Sequence, residues 1–156
     1  GTYYGNTTKV LSKISKKTVS IEAQKDLYNF SKKNLSNLRN VEIILGKSED
    51  ILEKVISENL YFENVCIYLD AHLCQDHLRN TKTFGTEIDG TPILKEMELI
   101  KKFLKSFKNV NILIDDIRLF NGNFQNYPSK DFLVEWCKEN NFLWEIEHDI
   151  FICKKK

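Results

Sequence analysis

Short apolar runs alternate along this chain with stretches in which apolar side chains recur every three or four positions, the signatures of strand and helix in turn. Residues 8–15 carry Val10, Leu11 and Ile14 at helical spacing, and Thr18–Glu22 reads as a short strand. An amphipathic helix over about 23–38 is marked by Leu27, Phe30 and Leu35. Val41–Leu45 is a strand stopped by Gly46, and Ser48 caps a helix whose apolar face is Ile51, Leu52, Val55 and Ile56. Residues 65–69 form the next strand, and Thr91-Pro92 opens a helix in the N-cap and N1 manner that runs to about Phe107 with Ile93, Leu94, Met97, Ile100 and Leu104 inward. Residues 110–114 are again strand, and Ser129 caps a helix to about Glu139 that buries Phe132, Leu133 and Trp136. Phe142–Glu147 and residues 150–154, joined by His148-Asp149, permit only an antiparallel hairpin, with Trp144 as a core residue.

This order predicts an α/β protein: a three-layer α/β/α, Rossmann-like fold with a mostly parallel sheet and a C-terminal antiparallel hairpin, built as one domain over 1–156. The chain opens on a glycine-rich turn, Gly1-Thr2-Tyr3-Tyr4-Gly5. Such a turn normally follows a strand, so a first, central strand is expected ahead of it and the domain is read as truncated at its N-terminus. Residues 73–90 show no clear period and include Gly85 and Gly90, the pattern of a functional loop or lid.

Composition narrows the function classes. Twenty-three Lys and Arg against 22 Asp and Glu leave a net charge of +1, which gives no field for gathering polyanions and no support to nucleic acid as a partner. Cys66, Cys74, Cys137 and Cys153 have neither CxxC nor zinc spacing and read as reduced thiols. No run of apolar residues has the length of a membrane span and nothing resembles a signal peptide, so a cytoplasmic protein is expected, compatible with a homo-oligomer.

The chemistry concentrates at strand ends. Ile67-Tyr68-Leu69-Asp70-Ala71-His72 and Ile112-Leu113-Ile114-Asp115-Asp116 are apolar runs that stop abruptly at acid. The carboxyl ends of parallel strands open into the crevice where α/β sheets hold ligands, so Asp70, His72, Asp115 and Asp116 are aimed at one place. Three carboxylates repel unless a metal ion or cationic ligand sits among them. Glu22 closes an earlier strand at the same edge, with an acceptor suited to a ribose diol.

Taken together, these residues resemble class I S-adenosylmethionine-dependent methyltransferases, most nearly the divalent-metal-dependent small-molecule O-methyltransferases of the macrocin and catechol types. Gly1, Thr2, Tyr3, Gly5, Asn6 and Thr7 look like the first motif, which approaches the cofactor's methionine part; Glu22, with Ala23 after it, looks like the ribose acid. Lys47 and Ser48, in the turn after Gly46, resemble the wall against adenine, and Asp70 completes the cofactor groove. The resemblance implies a magnesium ion on Asp70, Asp115 and Asp116, with Asp70 and His72 as catalytic residues and His72 as the base. Where the macrocin type has Asp two residues after the first metal-binding Asp, this chain has His72. His77 and Arg118 lie near the rim.

The expected activity is methyl transfer from S-adenosylmethionine to an oxygen of a small hydroxylated acceptor. Two other readings stay open. In a non-catalytic cofactor- or nucleotide-binding module, Asp115 would be a turn cap and Asp116 a solvated acid. In an NAD-dependent oxidoreductase, Glu22 would serve equally well, although the hairpin and the looser glycine spacing count against it.

Overall fold

The computed structural model describes residues 1–72, 75–76, 81–82, 90–123 and 127–156. The elements run α1 (Asn6–Ser12), β1 (Thr18–Glu22), α2 (Lys25–Asn34), β2 (Val41–Leu45), α3 (Ser48–Glu58), β3 (Asn64–Leu69), β4 (Gln75–Asp76), β5 (Thr81–Lys82), α4 (Ile93–Phe103), β6 (Asn109–Ile114), α5 (Lys130–Glu139), β7 (Phe142–Glu147) and β8 (Ile150–Lys155). The expected lid falls mostly outside the described residues, as does His77.

The fold is α/β. β1 pairs in parallel with β2, and a second sheet has the order β3-β6-β8-β7, with β3 and β6 parallel and β8 antiparallel to both neighbours. Parallel neighbours need a crossover, which α2 supplies between β1 and β2 and α4 between β3 and β6. The hairpin forms as read, with Glu147 opposite Ile150. Among the described residues no ladder joins β1 to β3; Gly1 and Thr2 instead bind both strand ends, the Gly1 nitrogen donating to the Asp70 backbone oxygen at 3.0 Å and the Thr2 hydroxyl to the Ile21 carbonyl at 3.1 Å.

The core lies around the four-stranded sheet, where Ile112, Ile114 and Phe151 meet Met97 and Ile100 of α4 and Leu133 and Trp136 of α5. Three expectations about packing change. Helix α1 ends early and Ile14 is 82% exposed, because its inward face is polar: Thr8 donates to the Ser20 hydroxyl at 3.2 Å and Ser12 is buried beside it. Trp144 is 45% exposed, since β7 is an edge strand, and its indole stacks on Phe151 at 5.6 Å between ring centres. On α4 the buried face is Ile93, Glu96, Met97 and Ile100, while Leu94 is 47% exposed. Among the described residues no helix is long and apolar enough to cross a membrane.

Candidate active site

The glycine-rich turn is built around Glu22. This carboxylate, 5% exposed at the end of β1, accepts the Thr2 and Tyr3 amides on Oε2 at 3.0 and 2.8 Å and the Gln24 amide on Oε1 at 3.0 Å. Of roughly four lone-pair sites on a carboxylate, three are thereby used in holding the turn, and one is left for a ligand hydroxyl. Gly5 has φ 85°, a conformation open to glycine, and a Cβ there would lie 2.7 Å from Leu35 Cδ1. Gly1 lies against both Asp70 and Glu22, which brings the turn, the ribose candidate and the end of β3 together. Asn6 and Thr7 are exposed in the first turn of α1, and Ala23 follows Glu22. Lys47 is the N-cap of α3 and Ser48 its first residue, with no side-chain capping bond from Lys47.

At the ends of β3 and β6 the acids separate into two groups. His72 Nδ1 lies 3.3 Å from Asp70 Oδ1 and 3.3 Å from Asp116 Oδ2. The hydrogen bond to Asp70 and the charges of Asp70 and Asp116 hold the imidazole above its ordinary pKa of 6.5, against the opposing effect of burial. Asp116 reaches His72 because its backbone turns left-handed, φ 58° and ψ 39°, directly after β6. Asp115 instead continues the strand, its amide donating to the Leu69 carbonyl at 3.0 Å. Leu113 is the register partner of Tyr68, and Asp115, two residues on, shares that face; the Tyr68 hydroxyl donates to Asp115 Oδ2. Burial, the bond to Asp115 and the surrounding acids all push the Tyr68 phenol up.

This departs from the expected magnesium trio. Asp70, His72 and Asp116 have ligand atoms within 4.8 Å of one another, as do Asp115, Asp116 and Asp149, but Asp70 and Asp115 do not share a group among the described residues. Arg118 offsets part of the charge of the second group: its guanidinium lies 2.7 Å from Asp116 Oδ1 and also pairs with Asp149. The first mixes imidazole with carboxylate, which suits a borderline transition ion better than magnesium, and its imidazole already bridges both acids. The residues present therefore do not fit a three-carboxylate magnesium site.

Asp70, Ala71, His72, Asp115 and Asp116 line a small cleft together with Thr91, Glu96, Phe120 and Tyr127. The Thr91 hydroxyl ties the start of α4 to the Ala71 carbonyl at 3.0 Å. Burial raises the Tyr127 phenol. Glu96 and Tyr127 carry no motif; the signal for Glu96 is its place between Ile93 and Met97 on an apolar helical face.

No protein-family model and no curated protein sequence matches this chain. Solved structures do. An rRNA methylase from Streptococcus thermophilus is 18% identical, with a TM-score of 0.54 over 100% of this chain and 84% of that one. A methyltransferase candidate from Streptococcus mutans, in complex with SAH, is 17% identical, with a TM-score of 0.57 over 100% of this chain and 85% of that one. A SAM-dependent methyltransferase from Aquifex aeolicus is 15% identical, with a TM-score of 0.55 over 99% of this chain and 77% of that one. The fold is thus the α/β fold of the SAM-dependent methyltransferases.

Proposed function

We propose that this chain is an S-adenosylmethionine-dependent methyltransferase that methylates an oxygen of a small hydroxylated acceptor, with His72 as the base. The observation that carries the reading is the imidazole held between Asp70 and Asp116 in the cleft at the carboxyl ends of β3 and β6. The cofactor groove is supported by the Gly1–Gly5 turn and by Glu22, whose three amide bonds leave one lone pair for a ribose hydroxyl.

The sulfonium donor is reactive already, so the protein's work is to align the acceptor oxygen with methyl carbon and sulfur. The oxygen forms the new C–O bond as the C–S bond breaks, and its proton passes to His72. Asp70 and Asp116 stabilise the imidazolium that results. Asp116 is itself fixed by Arg118, so the dyad's orientation is set from the hairpin turn at Asp149. Asp115 is engaged by Tyr68, and Arg118 supplies positive charge to Asp116 and Asp149.

Some fold neighbours are described as rRNA methylases. The net charge of +1 favours a small acceptor over a polyanion for this chain. The test is transfer of labelled methyl from S-adenosylmethionine to a panel of small hydroxylated compounds and to RNA. Label on a small compound, lost in His72→Ala, supports the reading; label on RNA alone overturns the acceptor class.

A further inference from the structure

Glu96 stands apart from the other acids of the cleft. It is 2% exposed in the first turn of α4, and its Oε2 has no hydrogen-bond partner among the described residues. Burial pushes the carboxyl up to about 7, and the charges of Glu49 and Asp70 add to this. Every other acid lining the cleft is engaged: Asp70 by His72, Asp115 by the Tyr68 hydroxyl and the Asp116 amide, Asp116 by His72 and Arg118. A buried acceptor left unpaired is costly, and native proteins seldom keep one without a partner.

The lining says which partner fits. It carries the carboxyl groups of Asp70, Glu96, Asp115 and Asp116, against which stand the imidazole of His72 and, on Asp116 alone, the Arg118 guanidinium. A neutral hydroxyl would satisfy Oε2 yet leave the excess of negative charge as it is, whereas an ammonium brings a positive charge and donors only. A shared metal ion is disfavoured, because Glu96 belongs to neither group whose ligand atoms lie within 4.8 Å of one another. We propose that the cleft receives a protonated amine of the methyl acceptor, its ammonium bound by Glu96 in the space shared with Asp70, so that the acceptor is an amino alcohol or amino sugar rather than a neutral polyol. This rests on the methyltransferase reading, and it places the amine in the cleft of the base, away from the glycine-rich turn.

The test uses the full chain saturated with S-adenosylhomocysteine and titrates 2-aminoethanol against its neutral counterpart ethylene glycol, at constant ionic strength, by amide chemical-shift changes at the start of α4. The amine should bind at least ~10-fold more tightly, and Glu96→Gln should abolish the preference while S-adenosylhomocysteine affinity stays within ~2-fold, the loss of one charge-assisted bond. Glu96→Asp, which withdraws the carboxyl by one methylene, should weaken the amine by an intermediate factor. Equal binding of the two probes, absence of both, or a preference that survives in Glu96→Gln overturns the proposal. If Glu96→Gln instead weakens S-adenosylhomocysteine ~10-fold, the amine held is the cofactor's and the acceptor assignment falls. Failure of S-adenosylhomocysteine to bind at all would be a failure of the methyltransferase reading, seen before any amine is added.

Discussion

The Tyr68 hydroxyl donates to the Asp115 carboxylate across the β3–β6 pair, and this bond decides how the acids of the site are grouped. With Asp115 engaged there, Asp70 and Asp116 are left to His72. Tyr68→Phe removes the donor and frees the Asp115 carboxylate, whose ligand atom already lies within 4.8 Å of one on Asp116, to hold an ion. The expected outcome is a gain of ~5-fold or more in Mn²⁺ affinity, read by electron paramagnetic resonance, over a parent that binds the ion weakly. Tight Mn²⁺ binding by the parent, unchanged in the variant, would restore the three-carboxylate metal site.

His72 makes the reaction pH-dependent with a defined sign. The base must be neutral to accept a proton, and its folded pKa is raised above 6.5 chiefly by the bond to Asp70. The acidic limb of kcat/KM should therefore fall above 6.5, with activity rising as pH passes through it. Asp70→Asn should move that limb to lower pH. His72→Ala should cut turnover by about 10²–10⁴ while cofactor affinity holds, as for loss of a general base. A limb that does not move in Asp70→Asn would dissociate the two residues.

Glu22 is a structural acid as well as a candidate ribose ligand. Glu22→Ala leaves the amides of Thr2, Tyr3 and Gln24 without their acceptor, with Thr2 itself buried. We expect a stability loss of about 2–4 kcal/mol by chemical denaturation, from unpaired amides at ~1–3 kcal/mol each with partial rescue by water. Glu22→Gln, which keeps one acceptor oxygen, should lose about half as much. A stable Glu22→Ala with unaltered cofactor binding would remove Glu22 from both roles.

Glu96 predicts stability with the opposite sign to an ordinary salt-bridged acid. Its folded pKa of about 7 lies above the ordinary 4.5, so the folded chain keeps a proton that the unfolded chain has lost. The contribution is full below 4.5, falls as pH rises through 7, and is then constant. Glu96→Gln should leave the melting temperature near the parent's at pH 4 and raise it by several degrees at pH 8, an effect on the order of 3 kcal/mol. Equal melting temperatures at pH 8 would mean that Glu96 ionises freely.

The strands and the hairpin were legible because their signals are local. Val41–Leu45 and Phe142–Glu147 are short, mostly apolar segments interrupted only by single glutamates and followed by turn residues, and their bounds coincide with the observed elements. The strand-end acids were equally visible, since a carboxylate that ends a buried parallel strand stands at the mouth of the ligand crevice. What the sequence hid depends on tertiary partners. Helical periodicity at Val10, Leu11 and Ile14 pointed the wrong face of α1 inward, because Ser20 on β1 binds Thr8. Asp115 and Asp116 are chemically alike in sequence; the left-handed turn at Asp116 and the Tyr68 hydroxyl on the neighbouring strand separate them. Glu96 was concealed for the converse reason, a charged residue on an apolar face whose significance shows only once Asp70 and His72 are seen in the same cleft.

A groove for S-adenosylmethionine formed by the Gly1–Gly5 turn, Glu22 and Asp70 underlies every functional step proposed above. Calorimetric titration of the chain with S-adenosylhomocysteine, beside NAD in a parallel cell, tests it most directly. One site for S-adenosylhomocysteine is expected, with a Kd of roughly 1–100 μM, in the range where enzymes commonly hold such ligands, and no binding of NAD. Silence from S-adenosylhomocysteine up to ~1 mM, or saturable binding of NAD in its place, would overturn the cofactor assignment.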